Sequence, residues 1–270
     1  MPELPEIYHL SKQMENELVG KQITDIEVLQ EKCLNIGKEE FVFQISNKTI
    51  QSISSLGKWI FIGLDAGIKL ALSLGMGGDV IYHKDAASSL PEKYQFKITF
   101  TDISCLTIRF WWFGYFHLVK AEEDSHKQTD DLGVSPLDKS QFTYEYFNNM
   151  LNGKRGSVKS FLMDQKNVAG IGNVYIQDIL FRAKIRPDRK INTMDDSEKS
   201  LLYNAIREEL EEAVKLGGIV QERDLYNRPG KKCDFLVGYK EGRPCPVCGT
   251  EISKITVANT ACYICSSCQK

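Results

Sequence analysis

Residues 245–268 read CPVCGTEISKITVANTACYICSSC, two Cys-x-x-Cys knuckles, Cys245/Cys248 and Cys265/Cys268, separated by 16 residues. Each knuckle makes a tight turn that aims two thiolates the same way, and a separation of about 15 to 20 residues lets a hairpin bring the two pairs together around one metal ion. Four sulfurs in a tetrahedron are the donor set of a structural Zn2+, closed to water and therefore a folding device rather than a catalyst. Cys262 lies inside the hairpin at the wrong spacing and reads as a buried or free thiol, as do Cys33, Cys105 and Cys233. So few cysteines in 270 residues exclude a disulfide scaffold and fit a reducing compartment.

The rest of the chain divides by texture. Ile7, Leu10, Met14 and Leu18 recur at helical spacing between Pro5 and Gly20. Short β-rich runs follow to about residue 119, among them 23–29, 58–64, 69–74, the alternating 94–100 and the long apolar run 105–119; they predict an antiparallel sandwich or barrel. Residues 121–138 are acidic and end in Gly133 and Pro136, the chemistry of a linker, which sets a boundary near 130. Helical periods then cover 140–151, 158–164, 174–183 and 201–214. The last is preceded by Asp195 and Glu198, spaced as a capping box, and stopped by Gly217-Gly218. The predicted class is α+β, with domains 1–130, 131–238 and 239–270.

With 42% hydrophobic and 26% charged residues, the chain has material for real cores. No apolar run approaches the roughly 20 residues of a membrane span, and the N-terminus lacks the pattern of a signal peptide. The expected location is intracellular. A net charge of −2 argues, as an average, against a nucleic-acid protein. Charge is nevertheless segregated: residues 151–190 hold nine basic against three acidic residues and 231–270 hold six against three, while 121–150 and 191–230 are acidic. Such blocks can build a basic face on a neutral chain.

Inside the more basic block, Gly170-Ile171-Gly172-Asn173 gives a tight turn before a helix, with Lys154, Arg155, Lys159 and Lys166 nearby in sequence. A helix N-terminus presents free N–H groups to a phosphate, and Asn173 adds a donor; simple turn geometry is the alternative. At the other end, Pro2 follows Met1, a context from which the initiator methionine is normally removed. Removal leaves a secondary amine able to attack an aldehydic sugar carbon, with Glu3 beside it for proton transfer.

Met1-Pro2-Glu3-Leu4-Pro5-Glu6, the pair Gly57-Lys58, Leu74-Gly75-Met76-Gly77-Gly78, the Gly170–Tyr175 turn and the four-cysteine finger occur in this order along the whole chain. This arrangement resembles the formamidopyrimidine-DNA glycosylase and endonuclease VIII family. The resemblance implies an N-terminal β-sandwich with a catalytic N-terminal helix, a helix–two-turns–helix domain and a β-hairpin zinc finger. It implies Pro2 as Schiff-base nucleophile, Glu3 as general acid/base, Glu6 as a second acidic group in proton shuttling, and Lys58 as a contact to phosphates around the lesion. Met76 would fill the hole left by the flipped nucleotide. Lys159, Gly172 and Asn173 would meet the DNA backbone. The implied activity is excision of damaged, chiefly oxidised, bases with AP lyase cleavage by β/δ-elimination. The implied partner is double-stranded DNA bearing a damaged base or abasic site, bound by a monomer in the bacterial cytoplasm and nucleoid, with one Zn2+.

Three departures stand out. Phe110-Trp111-Trp112-Phe113-Gly114 places Trp111 or Trp112 where the 8-oxoguanine branch has an arginine that reads the orphaned cytosine, which weakens the case for selectivity towards cytosine. A tryptophan can wedge against a base, or the pair can lie half in the core and half on the surface. Ala258-Asn259-Thr260-Ala261 lacks the finger arginine used on phosphates, and 218–238 is shorter than the lesion-capping loop of the family. A relative that binds damaged or distorted DNA with weak or no excision is the alternative reading. A zinc-ribbon module on an unrelated enzyme is a third.

Overall fold

The computed structural model describes residues 1–85, 90–119 and 126–270. They form two compact units, Met1–Asp130 with Gly217–Lys231, and Asp131–Leu216 with Lys232–Lys270. This differs from the three-way division by sequence. Residues 217–231 join the N-terminal unit, and the cysteine segment joins the helical one, where Cys245, Ile252 and Cys265 share a core with Phe181 and Val237. Among the described residues no helix is long and apolar enough to cross a membrane.

The first unit opens with α1 (Leu4–Leu18). Ile7, Leu10, Met14 and Leu18 are all buried, so the helix turns one apolar stripe inward. Two antiparallel four-stranded sheets make up the sandwich. One runs β1 (Ile23–Val28), β6 (Phe96–Phe100), β7 (Cys105–Phe110), β5 (Gly78–His83). The other runs β2 (Ile50–Leu56), β3 (Trp59–Leu64), β4 (Lys69–Ser73), β8 (Tyr115–Val119). Alternation along β6 sends Phe96, Ile98 and Phe100 to the core. Phe96 meets Phe116 of the other sheet edge-on at 5.2 Å, and Phe41 meets Phe116 at 5.3 Å. Phe41 belongs to α2 (Lys38–Ile45), a helix the periodicity did not reveal because it is short and leaves Phe43 exposed. The apolar run 105–119 is two strands broken by an exposed loop at 111–114.

The second unit contains α3 (Tyr144–Leu151), α4 (Val158–Met163), α5 (Ile176–Arg182) and α6 (Asp196–Lys215), then the hairpin β9 (Ser253–Val257) and β10 (Thr260–Ile264). The capping box is formed: Asp195 Oδ1 accepts the Glu198 N–H at 2.8 Å and Glu198 Oε2 accepts the Asp195 N–H at 2.9 Å. The acidic linker read over 121–138 lies outside the described residues at 121–125. Further on it is not loose. Gly133 donates to Gln165 O at 2.8 Å and has no room for a Cβ against the 166–167 backbone, so this glycine serves close approach, not flexibility.

Candidate active site and nucleic-acid interface

In the first unit the site is built at the start of α1. Glu3 is the N-cap residue, 1% exposed, and Pro2 is buried beside it. Glu6 Oε2 accepts the Glu3 N–H at 2.9 Å, and Glu6 Oε1 accepts the Ile219 N–H at 3.0 Å. One buried carboxylate thus ties the N-terminus to the 217–231 segment. Gly218, at φ 84°, lies so close to the Glu6 carboxylate that a Cβ would overlap it. The same segment supplies Glu222, whose Oε1 lies 2.8 Å from the amino group of Met1. Asp224 pins the segment further on, accepting from Gln13 at 3.0 Å and from the Arg228 side chain and N–H. Burial alone would raise the Asp224 pKa, but these hydrogen bonds hold it below the usual carboxylate value.

Lys58 sits in the two-residue turn between β2 and β3, not in the strand itself, with Gly57 at φ 59° before it. Its Nζ is 3.7 Å from Met1 Sδ, so Lys58, Met1 and Glu222 are brought together.

Elsewhere in this unit two loops lock backbone to backbone. Met76 N–H donates to Trp112 O at 2.9 Å, and Trp111 N–H donates to Gly77 O at 2.8 Å. Gly75, at φ 56°, has no room for a Cβ against the carbonyls of residues 112 and 113, and Gly77 abuts the Trp111 ring. Both tryptophans are therefore surface groups: Trp111 is 60%, Trp112 70% and Phe113 73% exposed, with Met76 at 48% beside them. Arg109, ion-paired with Asp79, lies over the Trp111 ring. Four exposed apolar side chains on a fixed scaffold form a patch of the sort that marks a binding surface.

In the second unit the sequence-predicted residues fare differently. Gly170, at φ 101°, donates to Gln165 Oε1 at 2.8 Å, which shapes the turn. Helix α5 begins at Ile176, not 174, so Asn173 precedes the helix by three residues. Its orientation is set by Gln177, whose Nε2 donates to Asn173 Oδ1 at 3.2 Å and to Asn173 O at 3.0 Å. The Gln177 amide also reaches the finger, donating to Ala261 O at 3.2 Å and accepting the Tyr263 N–H at 3.0 Å. Gly172 is buried and Asn173 half-buried.

Lys159 requires a correction. Its side chain is wholly buried and bonded to β10, so it is not a surface contact to DNA. Lys232 is likewise internal, paired with the buried Glu209 at 2.9 Å. Sequence reasoning also passed over Gln177, Asp178 and Glu222. Asp178 accepts N–H groups of Leu236, Val237 and Gly238 at 2.6–3.1 Å and so fixes the approach to the finger. The first two carried a signal: two polar residues interrupting the apolar run of α5 are buried and must find partners.

The four cysteines converge as their spacing predicts. Their sulfurs all lie within 4.8 Å of one another. Cys245 to Cys268 is 3.8 Å, and Cys248 is 3.4 Å from both Cys265 and Cys268. Four sulfurs about 2.3 Å from one ion would stand about 3.8 Å apart, so the cluster has the size of a tetrahedral thiolate site. The knuckles repeat one turn: Gly249 N–H donates to Cys245 O and Gln269 N–H to Cys265 O, each at 3.0 Å.

Two family models match this chain, the formamidopyrimidine-DNA glycosylase N-terminal domain over residues 1–111 and the formamidopyrimidine-DNA glycosylase H2TH domain over 132–224. The formamidopyrimidine-DNA glycosylase of Pelotomaculum thermopropionicum is 34% identical over all of this chain and 99% of its own length; that of Bacillus subtilis is 33% identical with the same coverage. Among solved structures, the Lactococcus lactis enzyme in complex with DNA containing N7-benzyl-Fapy-dG superposes over the whole of both chains with a TM-score of 0.91 at 29% identity. The same enzyme with abasic-site DNA gives 0.91 at 28%, each chain 99% covered. The likeness runs over the full length of this chain and of these relatives, and the chain belongs to the formamidopyrimidine-DNA glycosylase family, enzymes that act on DNA.

Proposed function

We propose that this protein is a bifunctional base-excision enzyme, a glycosylase for oxidised bases in duplex DNA with AP lyase activity carried by Pro2. The observation that bears most weight is the start of α1: Pro2 and Glu3 are buried there, and the Glu6 carboxylate accepts the Glu3 N–H at 2.9 Å, so that removal of Met1 would leave the Pro2 amine beside two acidic groups. The chemistry requires removal of Met1, because the Pro2 nitrogen is otherwise an amide. The freed amine attacks C1′ of the damaged nucleotide and the base leaves with its bonding pair. Glu3 supplies the proton that opens the sugar, and an iminium joins Pro2 to C1′. That iminium acidifies C2′. Loss of the C2′ proton expels the 3′-phosphate, a second elimination expels the 5′-phosphate, and water releases Pro2.

The remaining residues bind. Lys58 meets phosphate, while Met76, Trp111 and Trp112 fill the space vacated by the extruded nucleotide, where stacking substitutes for lost base pairing. Gly172 and Asn173 contact the flanking backbone. The metal is Zn2+, held by Cys245, Cys248, Cys265 and Cys268; thiolate donors at tetrahedral spacing favour it, and it supplies structure to the finger. The protein acts as a monomer. Incubation with duplexes carrying oxidised purines, oxidised pyrimidines or an abasic site tests the reading: strand cleavage at the lesion supports it, and binding without cleavage would favour the damage-recognising relative.

A further inference from the structure

Lys159 reaches from α4 to the first three residues of β10. Its Nζ lies 2.6 Å from Thr260 Oγ1, 3.2 Å from Ala261 O and 2.9 Å from Cys262 Sγ. A lysine ammonium has three donors and no acceptor, and here it meets four acceptors, the Thr260 carbonyl at 3.5 Å included, with no carboxylate among them. Withdrawing such a group from water without an anionic partner is costly, and an apolar side chain would join helix to hairpin at less expense. The arrangement is better explained by the position of the charge, directly beneath the hairpin tip. Ala258 and Asn259, at φ 52° and 58°, make the turn, and the tip segment 258–261 carries no charged residue. Thr260 is half-buried, and its hydroxyl donates to Val257 O at a long 3.2 Å. A hydroxyl that accepts from a cation becomes a stronger donor itself.

We propose that Lys159 is a positioning residue that polarises Thr260, so that the Thr260 hydroxyl turns from the Val257 carbonyl to donate to a DNA backbone phosphate at the finger tip. The buried charge does the work of a surface cation at one remove. Gln177 shares the Ala261 carbonyl with Lys159, which keeps the strand in register while the hydroxyl turns. The inference rests on the reading of this unit as DNA-binding.

The test is the affinity of the full-length, zinc-loaded protein for a duplex containing a tetrahydrofuran abasic analogue, measured across a range of salt. Lys159→Met is expected to weaken binding about tenfold, and to lower the slope of log K against log salt by about one. Thr260→Val is expected to weaken binding comparably while retaining zinc, with a lower melting temperature because the buried ammonium loses its nearest acceptor, and Thr260→Ser, which keeps the hydroxyl, is expected to restore affinity and slope. Thr260→Arg in the Lys159→Met background should restore affinity and slope by placing a cation at the tip. Wild-type affinity and slope in Thr260→Val would overturn the proposal, and so would a double variant no better than Lys159→Met. If Lys159→Met loses zinc and does not fold, Thr260→Val and Thr260→Ser decide. Wild-type protein that fails to bind the duplex overturns the DNA-binding reading and this inference with it.

Discussion

The Glu6 carboxylate accepts the backbone N–H of Ile219 at 3.0 Å, joining the first turn of the chain to a segment more than two hundred residues away. Its other oxygen holds the Glu3 N–H. In Glu6→Gln an amide N–H2 must face one of these two donors, so the variant should lose about 1–3 kcal/mol of stability, the cost of an unsatisfied buried group. Gly218→Ala should also destabilise, because the residue combines a positive φ with no space for a Cβ. Denaturant unfolding measures both. Wild-type midpoints in both variants would show that the Glu6 bridge does not hold the segment.

A buried histidine pair makes the first unit sensitive to acid. His117 Nδ1 lies 2.9 Å from His126 Nε2. Burial pushes the His117 pKa down to about 4, with His126 adding to the shift, and burial lowers His126 too. The unfolded chain takes up these protons near pH 6.5 and the folded one resists them, so stability should be complete above about 6.5 and fall as pH drops towards 4. For His117 alone the loss is about 3 kcal/mol. The spread of denaturation midpoints between pH 7, 5.5 and 4.5 should narrow when His117 is replaced by Gln, leaving the part due to His126. A His117 resonance titrating near 6.5 would contradict the argument.

Exposed tryptophans in place of a cytosine-reading arginine should flatten the response to the opposite base. Cleavage rates with one lesion paired to each of the four bases are expected to differ by less than about fivefold, because an indole face stacks without reading hydrogen-bond patterns. Trp112→Ala should cost about 1–3 kcal/mol of DNA affinity, the value of one stacking contact. A strong preference for cytosine in the wild type would count against this role.

Metal removal separates folding from chemistry. Chelation, or Cys248→Ser, should release one equivalent of zinc and abolish tight DNA binding. The N-terminal unit should keep its β-sheet circular dichroism, since its core shares no residue with the cysteine cluster. Collapse of the whole spectrum would contradict that independence.

Much of this was legible in the sequence where one short-range rule decides the outcome. The 3.6-residue stripe of α1, the alternation of β6, the Asp195/Glu198 box and the cysteine spacing each depend on neighbours in the chain. What could not be read depends on partners far away. Lys159 sits in a basic block and reads as a surface contact to DNA, yet its acceptors lie about a hundred residues on. Lys232 is likewise drawn inside by Glu209, so the two basic blocks present less surface charge than their composition implies. Residues 217–231 fall inside the predicted domain 131–238 because nothing local reveals that Glu6, Gln13 and the terminal amine claim them.

The central claim is that the amine of Pro2 attacks the sugar. Borohydride reduction of the protein mixed with abasic-site DNA, after verified removal of Met1, tests it most directly. A covalent complex whose adduct maps by mass spectrometry to Pro2, and which Pro2→Gly or a retained Met1 abolishes, is the predicted result. No trapped complex from the processed wild type, or an adduct on another residue, would contradict it.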